Sequence, residues 1–79
     1  MRFRYLLEDL LDLENRSRIK TEKLIQDSEG NLPISRLKKG HQIVALSRAI
    51  RVLIDQKMED EAEILLTLLE EKGVILPGR

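Results

Sequence analysis

Apolar residues near the start of the chain recur at the spacing of an α-helix. Phe3, Leu6, Leu10 and Leu13 are separated by three, four and three positions. This spacing places their side chains on one face of an amphipathic helix. The pattern weakens over the next ten residues and returns at Leu24. Because neither glycine nor proline occurs before residue 30, the sequence predicts one long helix over about residues 2–28.

Two further amphipathic segments follow in the second half of the chain. Ile43, Leu46, Ile50 and Leu53 repeat the same spacing and predict a helix over about residues 39–56. A third stripe predicts a helix over about residues 58–72; it consists of Ala62, Leu65, Leu66 and Leu69. Acidic residues at positions 59–61 suit the positive end of that helix dipole. Gly73 is expected to end the helix in a left-handed conformation.

The segment between the first two helices is ambiguous. Gly30 and Pro33 mark a turn, and Pro33 also suits the first position of a helix. Gly40 would cost such a helix about 1 kcal/mol relative to alanine. Alternatively, "LPIS" and "HQIVAL" would pair briefly as strands. A loop over about residues 29–38 is the favoured interpretation, because two short strands alone are marginally stable in water.

These elements predict an all-α fold with a long N-terminal amphipathic helix and a C-terminal antiparallel helical hairpin. The short "DQKM" turn makes the second and third helices antiparallel neighbours. Residues 73–79 form a short tail, in which Val74, Ile75 and Leu76 are expected to fold back on the core.

Length and composition favour a single small domain that needs no covalent or membrane support. The chain has 79 residues and no cysteine, so disulfides and thiolate metal sites are excluded. Its uninterrupted apolar runs are far shorter than the roughly 20 residues that span a bilayer. We therefore expect a soluble, untargeted, cytoplasmic protein.

Charge is balanced overall but unevenly distributed. Residues 30–54 contain basic residues and no acid, whereas residues 55–71 contain a single basic residue, Lys57, among seven acids. A basic helix followed by an acidic helix suggests that the two lie side by side. The competing interpretation is a basic face that remains available for phosphate.

No catalytic constellation is present, and we expect neither enzymatic activity nor a cofactor. The single histidine, His41, has no cysteine or second histidine nearby and is expected to lie in a solvated loop. Glu59 and Glu63 share a helical face, but two carboxylates alone make a weak divalent-ion site. A glycine-rich phosphate loop is absent.

The sequence favours a non-enzymatic protein–protein interaction module that uses apolar helix faces. Adaptor, chaperone, inhibitor and assembly factor are all compatible with that class. The first helix carries more leucine than one hairpin needs to cover, and spare apolar surface in a small chain usually meets another molecule. The predicted partner-binding residues, for a protein partner or a homo-oligomer, are Phe3, Leu6, Leu10 and Leu13.

The alternative is a small nucleic-acid-associated regulator that uses the basic 36–51 segment. Lysine and arginine clusters neutralise phosphates. The predicted phosphate contacts are Arg36, Lys38, Lys39, Arg48 and Arg51. The neutral net charge and the distance in sequence of the two aromatics, Phe3 and Tyr5, count against this alternative.

Two segments resemble known helical families. "ALSRAIRVLIDQKMEDEAEILLTLLEEKG", with Ala45, Ala49 and Ala62 at its small positions and Leu69 later, resembles one tetratricopeptide-type hairpin. That resemblance implies hairpin geometry and protein binding. "AEILLTLLEEKGVILPGR" is similar to the end of a winged helix, which implies a recognition helix followed by a strand. This helix departs from that pattern, because it presents acidic side chains where a recognition helix presents basic or amide groups.

Overall fold

The computed structural model describes residues 3–77 and residue 79. Within these residues the regular structure is helical: a short 3-10 turn (Arg4–Leu6), α1 (Leu7–Asp27), α2 (Ile34–Asp55) and α3 (Glu59–Glu71). The predicted all-α fold with three helices is confirmed. The predicted start of the first helix at residue 2 and residue 78 of the predicted tail lie outside the described residues.

The connection between α1 and α2 is shorter than the sequence predicts. Helix α2 begins at Ile34, five residues before the expected start, and Pro33 is its N-cap residue. The expected loop over residues 29–38 is therefore wrong beyond residue 33, and the alternative strand pair is absent from residues 31–46, which form loop and helix. Helix α1 ends at Asp27, and Glu29 and Gly30 both have positive φ, which places the chain reversal at the turn marked by Gly30.

A tight turn over residues 56–58 reverses the chain between α2 and α3. Lys57 adopts a left-handed conformation, and the Met58 amide donates to the Leu53 carbonyl at 2.9 Å. This is the bonding pattern that closes many helix C-termini. Gly73 ends α3 with a φ of +86°, as the sequence predicts. Lys72, at the far end of α3, reaches Gln42 of α2, so the two helices are antiparallel.

Helices α1 and α2 form the most extensive helix pair in the described chain. They are also antiparallel, because Thr21 lies against Gly40 while Glu14 lies against Arg48 and Arg51. A Cβ atom added at Gly40 would overlap Thr21 Oγ1. Gly40 therefore lowers the intrinsic helix propensity of α2 but permits close approach of the two backbones.

The core is concentrated at the end of the molecule where all three helices and the tail meet. Its buried members are Phe3, Leu6, Leu10, Ile50, Ile54, Ala62, Leu66, Leu69 and Leu76. The tail contributes less than predicted: Val74 packs against this core and Leu76 is buried, but Ile75 is 90% exposed.

The other end of the molecule is a two-helix arm beyond the reach of α3. The molecule measures 45 × 21 × 19 Å along its principal axes. Residues 22–38 form this arm, with the connection at its tip. Within the described chain, every helix is too short or too polar to cross a lipid bilayer.

The Gly40–Thr21 contact generates a prediction about stability. Gly40→Ala should lower the free energy of unfolding by about 1–3 kcal/mol, because steric overlap outweighs the gain in helix propensity. Urea denaturation followed by circular dichroism measures the change. The double variant Gly40→Ala/Thr21→Ala should lose less than the sum of the two single variants, because Thr21 supplies the overlapping atom. Strict additivity, or a more stable Gly40→Ala protein, would contradict the close approach.

Candidate protein-binding groove and the fate of the predicted contacts

The predicted apolar contact residues of the first helix lie in the protein core. Phe3 is 4% exposed, and Leu6 and Leu10 are fully buried. Leu13 is half-buried and packs against the same core. Their burial corrects the prediction that these four side chains form a surface for a partner, because α2, α3 and the tail already cover them. A partner-binding surface must therefore be sought elsewhere on the molecule.

The predicted phosphate contacts are divided between two environments. Arg48 and Arg51 both bind the carboxylate of Glu14, which α1 presents toward α2. The Arg48–Glu14 distance is 3.2 Å, and Arg51 engages the other carboxylate oxygen. Arg36 and Lys39 lie instead near the arm, where they line a cleft between α1 and α2. Lys38 is exposed and is not among the residues that line that cleft.

Glu14 is a buried carboxylate at a helix interface. Burial by itself would raise its pKa, but hydrogen bonds from Arg51 and Arg48 and the charges of both arginines outweigh that effect. The net result is a pKa below the usual glutamate value. Glu14 therefore remains ionised at neutral pH and joins α1 to α2 through two charge-assisted hydrogen bonds.

An apolar groove runs along the face of α2 and α3. It encloses about 630 Å³, and its lining comprises Gln42, Ala45, Leu46, Ala49, Leu65, Leu68, Glu71 and Lys72. The two alanines lie one helical turn apart on α2. Because their side chains are short, they leave open space between α2 and α3. Large apolar side chains extend the surface: Val52, Ile64 and Leu68 are all exposed. Contiguous exposed apolar surface is a feature of interaction sites.

The α3 edge of this groove is acidic. Glu61 and Glu71 are exposed and flank Ile64, Leu65 and Leu68 at helical spacing. Other acids of α3 are already engaged by the tail, since Arg79 pairs with Glu63 and Glu70. The guanidinium of Arg79 also lies 5.5 Å from the ring centre of Phe3. The tail thus neutralises one side of α3, whereas the side that faces the groove carries Glu61 and Glu71, with Lys72 at its C-terminal end.

The described residues contain no group of three or more histidine, cysteine, aspartate or glutamate side chains arranged to hold a metal ion. His41 is exposed, but it lies within α2 rather than in the predicted loop. The described surface offers an apolar groove with an acidic edge and a separate cleft lined by basic residues.

Sequence reasoning missed the contact of Glu14 with the two arginines, although a signal for it was present. Glu14 follows Leu10 by four positions and so lies on the apolar stripe of α1. A carboxylate on a buried stripe requires a cationic partner. The acid-free segment of residues 30–54 was the natural source of that partner. No comparable pattern in the sequence indicates that Arg79 pairs with Glu63 and Glu70, because the position of Arg79 depends on how the tail folds back.

Replacing Glu14 tests its role in joining the helices. Glu14→Gln should lower the free energy of unfolding by about 1–3 kcal/mol, because Arg51 loses its counter-charge in a partly buried site. The matched control is Asp12→Asn, which breaks the exposed Asp12–Arg16 pair on the same helix. That control should cost no more than about 0.5 kcal/mol. Equal losses in the two variants would contradict a buried role for Glu14.

The lowered pKa of Glu14 predicts a specific dependence of stability on pH. A group whose pKa is lowered on folding contributes stability above its unfolded-state pKa and loses it as pH falls through the folded-state value. The window therefore lies below pH 4.5, the ordinary value for glutamate. The difference in unfolding free energy between the wild type and Glu14→Gln should stay constant from about pH 7 to about pH 5 and shrink between about pH 5 and about pH 3. A constant difference across that range would contradict the prediction.

Comparison with known proteins leaves the chain without an assigned family. No family model, curated protein or solved structure matches it. The described structure bears on the two resemblances noted above. Residues 74–76, where a winged helix would have a strand, carry no regular structure. Helices α2 and α3 do form an antiparallel hairpin, with Ala45 and Ala49 exposed to the groove.

Proposed function

We propose that this chain is a small non-enzymatic protein-interaction module that binds an amphipathic helix of a partner protein in the α2/α3 groove. The observation that carries the proposal is the apolar groove itself, which is open to solvent and continues into the exposed side chains of Val52, Ile64 and Leu68. A groove between two antiparallel helices accepts a third helix along its length, because side chains of the third helix fill the space above small residues.

Charge complementarity favours a partner helix with basic flanks. Glu61 and Glu71 border the apolar strip, so lysine or arginine beside the partner's apolar stripe would form favourable pairs. A second copy of this chain is a less suitable occupant. A two-fold interface places the same surface on both sides, so it would bring the carboxylates of Glu61 and Glu71 from both copies into the contact. The homo-oligomer prediction is retained as an outcome of the test.

The experiment uses the whole chain as bait in a lysate of its native host. A photo-crosslinking amino acid at position 64 labels whatever occupies the groove, and mass spectrometry identifies the crosslinked segment. The expected segment has an apolar stripe at helical spacing and flanking basic residues. Sedimentation of the pure protein at micromolar concentration measures self-association separately.

A pair of matched variants determines whether the groove is the binding surface. Leu68→Asp should weaken the affinity for the identified partner segment by about tenfold or more, since it removes buried apolar contact and adds charge. The control is Ile25→Asp on the arm, because Ile25 and Leu68 are similarly exposed, at 46% and 41%. Ile25→Asp should leave the affinity within about twofold.

Three results would contradict the proposal. Equal effects of the two variants would remove the groove as the contact surface. A dimer that is broken by Leu68→Asp would make a second copy the occupant. Capture of nucleic acid, with an affinity that falls steeply between about 0.1 and about 0.5 M salt, would favour the nucleic-acid alternative.

A further inference from the structure

A second concave site lies at the base of the arm, on the boundary between α1, α2 and the segment that follows α3. It encloses about 480 Å³. This volume falls within the range of about 300–1,000 Å³ typical of small-molecule sites. Lys72 borders both this cleft and the α2/α3 groove, but the remaining lining residues of the two sites differ. The two sites can therefore be tested independently.

Four basic residues from three helical segments converge on this cleft. Lys20 comes from α1, Arg36 and Lys39 come from α2, and Lys72 follows the end of α3. The residues that line the cleft include no acid. Within the described chain, Lys72 donates a hydrogen bond to Gln42 at 2.8 Å, whereas Lys20, Arg36 and Lys39 form no ion pair. Several like charges around one concave site focus a positive potential that attracts an anion.

The remainder of the lining is largely apolar. Leu24, Ile43 and Val74 contribute side chains from all three walls. Gly40 also lines the cleft, and the hydroxyl of neighbouring Thr21 is already satisfied by the Ser17 carbonyl at 2.7 Å. The cleft therefore combines a cationic rim with an aliphatic interior, and the two parts require different chemical groups on one ligand.

We propose that this cleft binds a small amphiphile that carries a phosphate monoester on an aliphatic body. The phosphate lies among Lys20, Arg36 and Lys39, where its two negative charges receive several charge-assisted hydrogen bonds. The aliphatic body lies against Leu24, Ile43 and Val74, where its burial from water adds affinity. This site is separate from the proposed protein-binding function and does not depend on it.

A nucleic-acid strand is a poorer fit to the same surface. The chain's two aromatic residues, Phe3 and Tyr5, precede the first residue of α1, whereas Leu24 lies near its other end. Base stacking is therefore unavailable at the cleft. Arg48 and Arg51, which would have extended a basic track, are bound to Glu14. The basic surface is thus a local site of ligand size and not a continuous channel.

The experiment titrates the isotopically labelled full chain with hexyl phosphate and follows its amide signals by NMR. The signals of Gly40 and Gly73 should shift with saturation, because both residues line the cleft, whereas Gly30 at the tip of the arm should not. Hexanol and inorganic phosphate should each bind more weakly than hexyl phosphate. Hexanol lacks the phosphate group, and inorganic phosphate lacks the aliphatic body. Flotation with vesicles that contain phosphatidic acid distinguishes a membrane lipid from a free phosphate monoester as the source of the group.

Adjacent lysines supply a matched pair of variants. Lys39→Gln should weaken hexyl phosphate binding by about three- to tenfold, because it removes one charge-assisted contact. Lys38→Gln removes the same charge from an exposed position outside the lining and should change the affinity by less than about twofold. Far-UV circular dichroism establishes that both variants keep the helical content of the wild type.

The proposal is overturned by any of four results. The amide shifts of Gly40 and Gly73 fail to saturate, or Lys38→Gln and Lys39→Gln weaken binding equally. Hexanol binds as tightly as hexyl phosphate, which would leave the cationic rim without a role. A single-stranded oligonucleotide competes for the cleft at lower concentration than hexyl phosphate, which would make a polymer the ligand.

Discussion

The antiparallel contact between α1 and α2 is the constraint on which the remaining architecture depends. Two different interactions stabilise this contact between α1 and α2. At one end Gly40 lets the helix backbones approach until Thr21 occupies the space of a missing Cβ. Nearer the core, Glu14 binds Arg48 and Arg51 across the same interface. Steric fit and charge pairing together select one register, because sliding either helix by a turn would break both.

That register determines which surfaces remain free. It buries the first stripe of α1 and leaves α2, which has no acid before Asp55, with two exposed sides. One side faces α3 across the apolar groove, and the other forms the basic cleft with the second half of α1. Glu14 engages Arg48 and Arg51 but not Arg36 or Lys39, so the basic residues of α2 that form no ion pair in the described chain lie near the arm. Apart from Lys72, the apolar groove and the basic cleft are lined by different residues.

Hydrophobic periodicity in the sequence was sufficient to predict the helices, because helical faces are encoded by local spacing. The boundary of α2 was misjudged because Gly40 looks unfavourable within a helix, and its benefit depends on Thr21, nineteen residues away in the sequence. The buried stripe of α1 was predicted as well, but spacing cannot reveal whether the covering surface belongs to the same chain. Both candidate sites are formed by residues from separate helices, so their composition required the tertiary arrangement.

The register of α1 against α2 is tested most directly by proton–proton contacts measured by NMR in the isolated protein. Cross-peaks between the γ-methyl group of Thr21 and the α-protons of Gly40 are expected, because the Thr21 methyl carbon lies 3.7 Å from the Cβ position built on Gly40. Contacts from Thr21 to residues one turn away on α2, in place of Gly40, would contradict the register and with it the composition of both sites.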